Sequence, residues 1–206
     1  LIASLYGLIA KHPAIKKAAL PQLLTARTRL PGFDGEWRRG PIGDLLRVRH
    51  GKSQKGIEDA AGRFPILATG GRIGSTDTPI HPGPSVLIGR KGTIDRPQYS
   101  DGPFWTIDTL FYTEVSESAL PRFVFYLFLM IDWRSLNEAS GVPSLSAANV
   151  ESVIVDYPEL SEQRAISEVL TDMDREIELL EERLVKTREL KTGMMQQLLT
   201  GRTRLV

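Results

Sequence analysis

Toward the C-terminal end of the chain, apolar residues fall at Ile166, Leu170, Met173, Ile177, Leu180 and Leu184, stepping by four, three, four, three and four. A left-handed coiled coil buries that heptad spacing along one seam, so Ser161 to Thr200 is predicted to form one long helix that meets another. Thr187 and Lys191 interrupt the seam before Met194 and Leu198 resume it. Acidic residues crowd the first half (Glu162, Glu168, Asp172, Asp174, Glu176, Glu178, Glu181, Glu182) and Lys186, Arg188 and Lys191 the second, a gradient that complements the helix dipole. Ser161 after Pro158 suits a cap and Gly201 a stop. At 1.5 Å per residue such a helix extends about 60 Å, more than the core of one modest domain requires. A surface helix folded back on its own domain is the competing reading of the seam.

The first residues, Leu1 to Ala26, carry a second helical pattern (Leu1, Leu5, Leu8, Ile9, Ile15, Leu20, Leu23, Leu24) interrupted by Pro13 and Pro21, which predicts a kink or two shorter helices. Between the helical regions the period changes. Phe64–Ala68, Ser85–Ile88, Thr106–Thr113 and Val150–Val155 are short β-rich runs bounded by Gly and Pro, and Ile42–Val48 reads as a short helix or strand. Arg122–Leu136, apolar and aromatic almost throughout, suits a buried helix, and Ser140–Ser146 a polar loop. Pro31–Trp37 (PGFDGEW) is loop, with aromatics placed to anchor the edge of a domain. The fold class expected is α/β (α+β), one mixed domain with a long C-terminal coiled-coil helix and a shorter N-terminal helical segment.

The end of each helical region repeats. Lys16–Leu30 (KKAALPQLLTARTRL) recurs as Lys191–Leu205 (KTGMMQQLLTGRTRL), with nine of fifteen positions identical at a constant offset of 175 residues. Two copies of one helix end therefore bracket a single domain, and the parent architecture alternates domain and helix.

Composition narrows the function. The 206 residues include no cysteine, which removes disulfides and thiolate metal sites and points to a reducing cytoplasmic compartment; His12, His50 and His81 are scattered and make no zinc pattern. The apolar run Leu1–Ala10 is too short to span a bilayer. The chain starts without Met in helix-like sequence, as a segment of something longer would. A net charge of +1 conceals a division: residues 1–35 carry +4, 36–100 +5, 101–160 −7 and 161–206 −1. Clustered basic charge on a nearly neutral protein is what phosphate binding requires, although a solvated face gives the same count.

Within the basic stretch, Thr69–Thr78 (TGGRIGSTDT) and Gly89–Arg96 (GRKGTIDR) are expected as glycine-rich loops, each following a strand-like run. Glycine admits close backbone approach to phosphate, and Arg72, Ser75, Thr76, Arg90, Lys91, Thr93 and Arg96 donate to phosphates or, for arginine, to the guanine edge. Ordinary turn chemistry explains the same glycines without a ligand. Lys52 and Lys55 join the candidate DNA-contact set, while Arg47, Arg49 and Arg63 are second-tier; Trp105 with Phe104 could stack on bases or belong to the core. No catalytic motif is found: Gly51-Lys52-Ser53 lacks the upstream glycine of a phosphate-binding P-loop, Gly70, Gly71 and Gly74 miss the dinucleotide spacing, and Glu189-Leu190-Lys191 lies on the long helix. The competing classes are a DNA-modifying or DNA-cleaving enzyme fragment and a coiled-coil interaction scaffold.

In their order along the chain, the repeated QLLTGRTRL-type helix ends, PGFDGEW, the GGRIG and LIGRKGTI segments, VPSLSAANVESVIVDYPELSEQRAISEVL and the long helix resemble the specificity subunit of a Type I restriction-modification system. The resemblance implies a target-recognition domain at about 31–157, between the end of a conserved helical region at 1–30 and a conserved coiled-coil helix and tail at 158–206. It implies reading one half of a split sequence on double-stranded DNA, with a helix pair fixing the gap between halves. It also implies docking of methyltransferase (M) subunits and, through them, the restriction (R) subunit, so that this chain needs neither cofactor nor catalytic residues. The family pattern has two recognition domains and this chain one, so the second half lies in the same longer chain or comes by homodimerisation.

Overall fold

The structure, a computed structural model, describes residues 2–200. Its contacts fall into two units, Leu1–Gln22 with Glu168–Val206 as unit 1 and Leu23–Ser167 as unit 2.

Unit 1 is built from two helices, α1 (Ile2–Leu24) and α4 (Leu160–Leu199), each of which contributes most of its length. Within it, His12 Nδ1 lies 3.4 Å from Glu176, Lys16 forms an ion pair with Asp174, and Arg188 sits 5.0 Å over the Tyr6 ring. Positions rising along α1 thus meet positions falling along α4, so the pair is antiparallel. The less exposed residues of α1, Leu5, Ile9, His12, Lys16 and Ala19, step by four, three, four and three. On α4, Leu170 and Leu184 are buried and Met173, Ile177 and Leu180 half-buried, while Ile166 is buried in unit 2. Half-buried charges on such a seam fix register more than they add stability.

Three helix details differ from expectation. Pro13 and Pro21 leave α1 one element, because each removes only one backbone hydrogen bond and the contacts to α4 hold the helix on both sides of Pro13. Ser161 lies inside α4; the carbonyl of Glu159 accepts the amides of Glu162 at 3.1 Å and Gln163 at 3.0 Å, so the capping position falls earlier. The expected stop at Gly201 lies outside the described residues. Its counterpart in the first copy of the repeat, Ala26, follows α1 with a left-handed φ of 55°, the conformation that glycine adopts most easily.

Unit 2 carries β1 (Arg38–Pro41), β2 (Leu46–His50), β3 (Phe64–Ala68), β4 (Gly71–Thr76), β5 (Ser85–Gly89), β6 (Gln98–Ser100), β7 (Trp105–Thr106), β8 (Leu110–Val115), α2 (Pro121–Met130), α3 (Ala147–Glu151) and β9 (Ile154–Tyr157). The strands form a four-stranded antiparallel sheet ordered β2-β8-β5-β6, a three-stranded sheet β4-β3-β7 whose β3–β7 pair is parallel, and the antiparallel pair β1-β9. Every residue of β5 is buried, as the near-continuous apolar run SVLIG requires, and Phe123, Val124, Tyr126, Leu127 and Phe128 of α2 are buried too. Leu87, Phe104, Leu110 and Tyr112 form an apolar cluster with Leu67 and Ile80 against it. His81 packs its ring on Phe104 and Tyr112, and burial pushes its pKa below the usual histidine value.

Several boundaries moved. Thr69–Thr78 is not a loop, since Gly71–Thr76 pairs with β3 as an antiparallel hairpin. Thr106–Thr113 is broken where the Leu110 amide turns back to the Ile107 carbonyl at 3.0 Å. In Val150–Val155, Val150 and Glu151 belong to a short helix capped by Ser146, whose Oγ accepts the Asn149 amide at 3.2 Å. Ile42–Val48 is both candidates in turn, a 3₁₀ turn and then a strand. The helix expected over Arg122–Leu136 stops at Met130; Ile131 is extended, and Trp133–Leu136 makes a separate 3₁₀ turn. Phe104 is fully buried core and not available for stacking.

Candidate nucleic-acid interface

The candidate cations gather around one short stretch, Trp105–Thr109. The Lys52 amide donates to the Thr106 carbonyl at 2.9 Å, and Trp105 Nε1 donates back to the Lys52 carbonyl at 2.9 Å. From the other side, the amides of Arg90 and Lys91 donate to the Thr109 carbonyl at 2.8 and 3.2 Å, and the Arg90 guanidinium reaches the Asp108 carbonyl at 3.2 Å. Arg72 stands opposite Leu67 on β3, which in turn stands beside Thr106 on β7, two strand spacings or about 10 Å across. Lys52, Arg72, Arg90 and Lys91 are therefore brought near one another along the backbone although 39 positions separate the first from the last.

Two glycines make this convergence possible. A Cβ on Gly51 would lie 2.0 Å from the Ile107 carbonyl oxygen, and one on Gly89 would lie 2.1 Å from that of Thr93. In the same loop, Gly92 takes a left-handed φ of 86° with open space around it. The Gly89–Arg96 loop is held to the polar loop before α3 by the Gly92 amide donating to the Pro143 carbonyl and the Leu145 amide to that of Arg90, each at 2.9 Å.

Ion pairing separates the basic residues into two groups. Arg38, Arg39, Arg49 and Arg63 each hold a carboxylate, from Glu159, Asp156, Glu114 and Asp77 respectively. The hydrogen bond to Glu114 raises the Arg49 pKa, and the Arg63 side chain lowers that of Asp77. Among the described residues, Lys52, Lys55, Arg72, Arg90, Lys91 and Arg96 stand in no ion pair. Cations without carboxylate partners are the groups that attract a polyanion.

The remaining candidates have mixed positions. Ser75 Oγ accepts from Arg72 at 2.7 Å and orients it. Thr76 is buried, its Oγ1 accepting the Thr78 amide at 3.0 Å, which withdraws it from any surface. Lys55 is exposed on the turn after Lys52. Thr93 and Arg96 line a cavity of about 500 Å³ with Gly92, Ile94, Asp95, Arg134, Asn137 and Pro143. Arg134 escaped the sequence reading because it lay within an expected buried helix. No group of three metal-ligating side chains occurs among the described residues, and none of their helices is long and apolar enough to cross a membrane.

The family model described as the Type I restriction modification DNA specificity domain matches residues 34–187, well over half of the chain. The chain belongs to this Type I restriction-modification DNA specificity family. Its fold is similar to the crystal structure of the Type I restriction-modification S subunit from M. genitalium, with a TM-score of 0.75 at 16% identity over 96% of this chain and 56% of that one. It is also similar to the HsdS subunit from Thermoanaerobacter tengcongensis, with a TM-score of 0.65 at 15% identity over 95% of this chain and 52% of that one. A third chain, solved for the assembly and conformational transition of the type I R-M system, has a TM-score of 0.65 at 16% identity over 95% and 54%. At these identities the likeness is one of fold, and the chain spans about half the length of each of the three.

Proposed function

We propose that this chain reads one half of a bipartite target on double-stranded DNA without catalysing a reaction, while the long helix helps to set the distance between half-sites. In this reading the recognition domain spans 31–157, and the helical regions dock methyltransferase subunits and, through them, the restriction subunit. The observation that carries it is the set of six cations without carboxylate partners, three of them (Lys52, Arg90 and Lys91) tied to Trp105–Thr109 by main-chain hydrogen bonds and Arg72 placed two strands across by sheet pairing. Such a group positions the domain on the phosphate backbone, and arginines among it reach base edges. The DNA-contact set is Lys52, Lys55, Arg72, Ser75, Arg90, Lys91, Thr93 and Arg96.

The second half-site calls for a second recognition domain, and the repeat supports its presence. Leu23 and Leu24 are 7% and 2% exposed, whereas their counterparts Leu198 and Leu199 are 39% and 83% exposed. The same residues are covered in one copy and bare in the other. A second domain, from a longer chain or a second copy, covers the bare pair.

Arg72→Ala combined with Arg90→Ala weakens binding to the cognate duplex about tenfold or more at fixed salt, and reduces the slope of log K against log salt by about two. A fluorescence titration at several salt concentrations measures both. Unchanged affinity and slope would remove this surface from the site.

A further inference from the structure

We infer that Arg134 is a further base-reading residue, that Asp95 orients it, and that the base it takes is guanine; this rests on the DNA-reading function proposed above. Arg134 lies in the acidic part of the chain, outside both glycine-rich segments, yet the fold brings it to the cavity that Thr93 and Arg96 line. Its backbone is anchored. The preceding Trp133 is buried with Nε1 donating to the Phe128 carbonyl at 2.8 Å, and the Asn137 amide donates to the Arg134 carbonyl at 3.2 Å.

The side chain itself is exposed, and its Nε donates to Asp95 Oδ2 at 2.7 Å. Among the described residues its two terminal nitrogens have no partner. A guanidinium gripped at Nε presents those two nitrogens as a fork, which matches the O6 and N7 acceptors of guanine in the major groove. Phosphate fits less well, because the Asp95 carboxylate repels an anion at this position. The same carboxylate accepts from the N4 amino group of a neighbouring cytosine. Arg96, on the same cavity and without an acidic partner, is the phosphate contact of the pair.

The test uses the full chain and a duplex selected by it from a random pool, with each guanine then replaced singly by 7-deazaguanine, which lacks the N7 acceptor. Wild-type protein loses about tenfold in affinity at one guanine. Arg134→Lys keeps the charge but not the fork; it binds the unmodified duplex about tenfold more weakly and no longer responds to 7-deazaguanine there. Urea unfolding of the variant matches wild type, since the side chain is exposed. The inference is overturned if Arg134→Lys retains wild-type affinity and the 7-deaza response. It is equally overturned if the selected target has no guanine with this response, or if Arg134→Ala, which removes the charge, loses affinity with a salt slope shallower by about one while the 7-deazaguanine response persists, as for a phosphate contact. Wild-type chain that binds no duplex in a salt-dependent way refutes the proposed DNA reading as well.

Discussion

Glu162→Ala lowers the stability of unit 2 by about 2–4 kcal/mol, read as a shift in the urea midpoint followed by tryptophan fluorescence. The carboxylate is almost fully buried and holds three donors: Arg29 Nε at 2.7 Å, the Arg29 terminal nitrogen at 2.8 Å and Trp37 Nε1 at 3.1 Å. Arg29 also lies 5.9 Å over the Trp37 ring, so the cluster ties the first copy of the repeat and the loop after it to the first turn of α4. Removing the acid strands a guanidinium and an indole N–H together. Arg29 keeps about a quarter of its side chain in water, which holds the loss below that of a fully enclosed pair. Glu162→Gln retains acceptors for Trp37 and costs less. A midpoint for the alanine variant within about 0.5 kcal/mol of wild type would show that the cluster does not hold this end of the domain.

Trp133→Ala has the largest expected effect, about 3–5 kcal/mol in the same measurement. The indole is fully buried, packs tilted against the Phe128 ring with centroids 4.9 Å apart and donates to the Phe128 carbonyl, satisfying it in the last turn of α2. Truncation leaves both a large cavity and an unmet carbonyl. Trp133→Phe keeps most of the volume and loses the hydrogen bond, so its cost is about 1–2 kcal/mol. Because Arg134 follows directly, the alanine variant also loses the fixed presentation of that side chain. Equal stability of the alanine and phenylalanine variants would contradict the assignment of Trp133 as the pin of this turn.

The long helices were legible because period is a local property that accumulates over many turns, and the runs of β3 and β5 because apolar residues dominate them. β1 was not. Its sequence, Arg-Arg-Gly-Pro, has no strand character, and it pairs only with β9, opposing Arg39 to Asp156 far along the chain. β4 was hidden by its glycines, which suggest a turn until β3 is there to pair with them. α3 was hidden by the β-branched residues of the run Val150–Val155, although Ser146 with Asn149 three residues on carried its capping signal.

The candidate site was legible as chemistry and not as geometry. Basic residues in glycine-rich segments mark cations that approach a ligand closely, and Lys52, Arg72, Arg90 and Lys91 do gather. Composition cannot tell that Arg49 and Arg63 are neutralised by Glu114 and Asp77, because those pairings form across strands. Nor can it tell that Thr76 faces inward while its neighbour Ser75 supports Arg72. Arg134 needed the end of α2 at Met130, a boundary set by tertiary packing around Trp133.

The most direct measurement exchanges residues 31–157 for the matching segment of another family member, purifies the chain with the methyltransferase subunits proposed to dock on it, and maps methylated sites on genomic DNA. Where a longer chain carries the second recognition domain, one half of the recognised sequence then changes to that of the donor and the other stays; where a second copy supplies it, both halves change; in either case the number of base pairs between them stays as it was. A map in which neither half changes, or in which the spacing moves with the exchanged segment, contradicts the account.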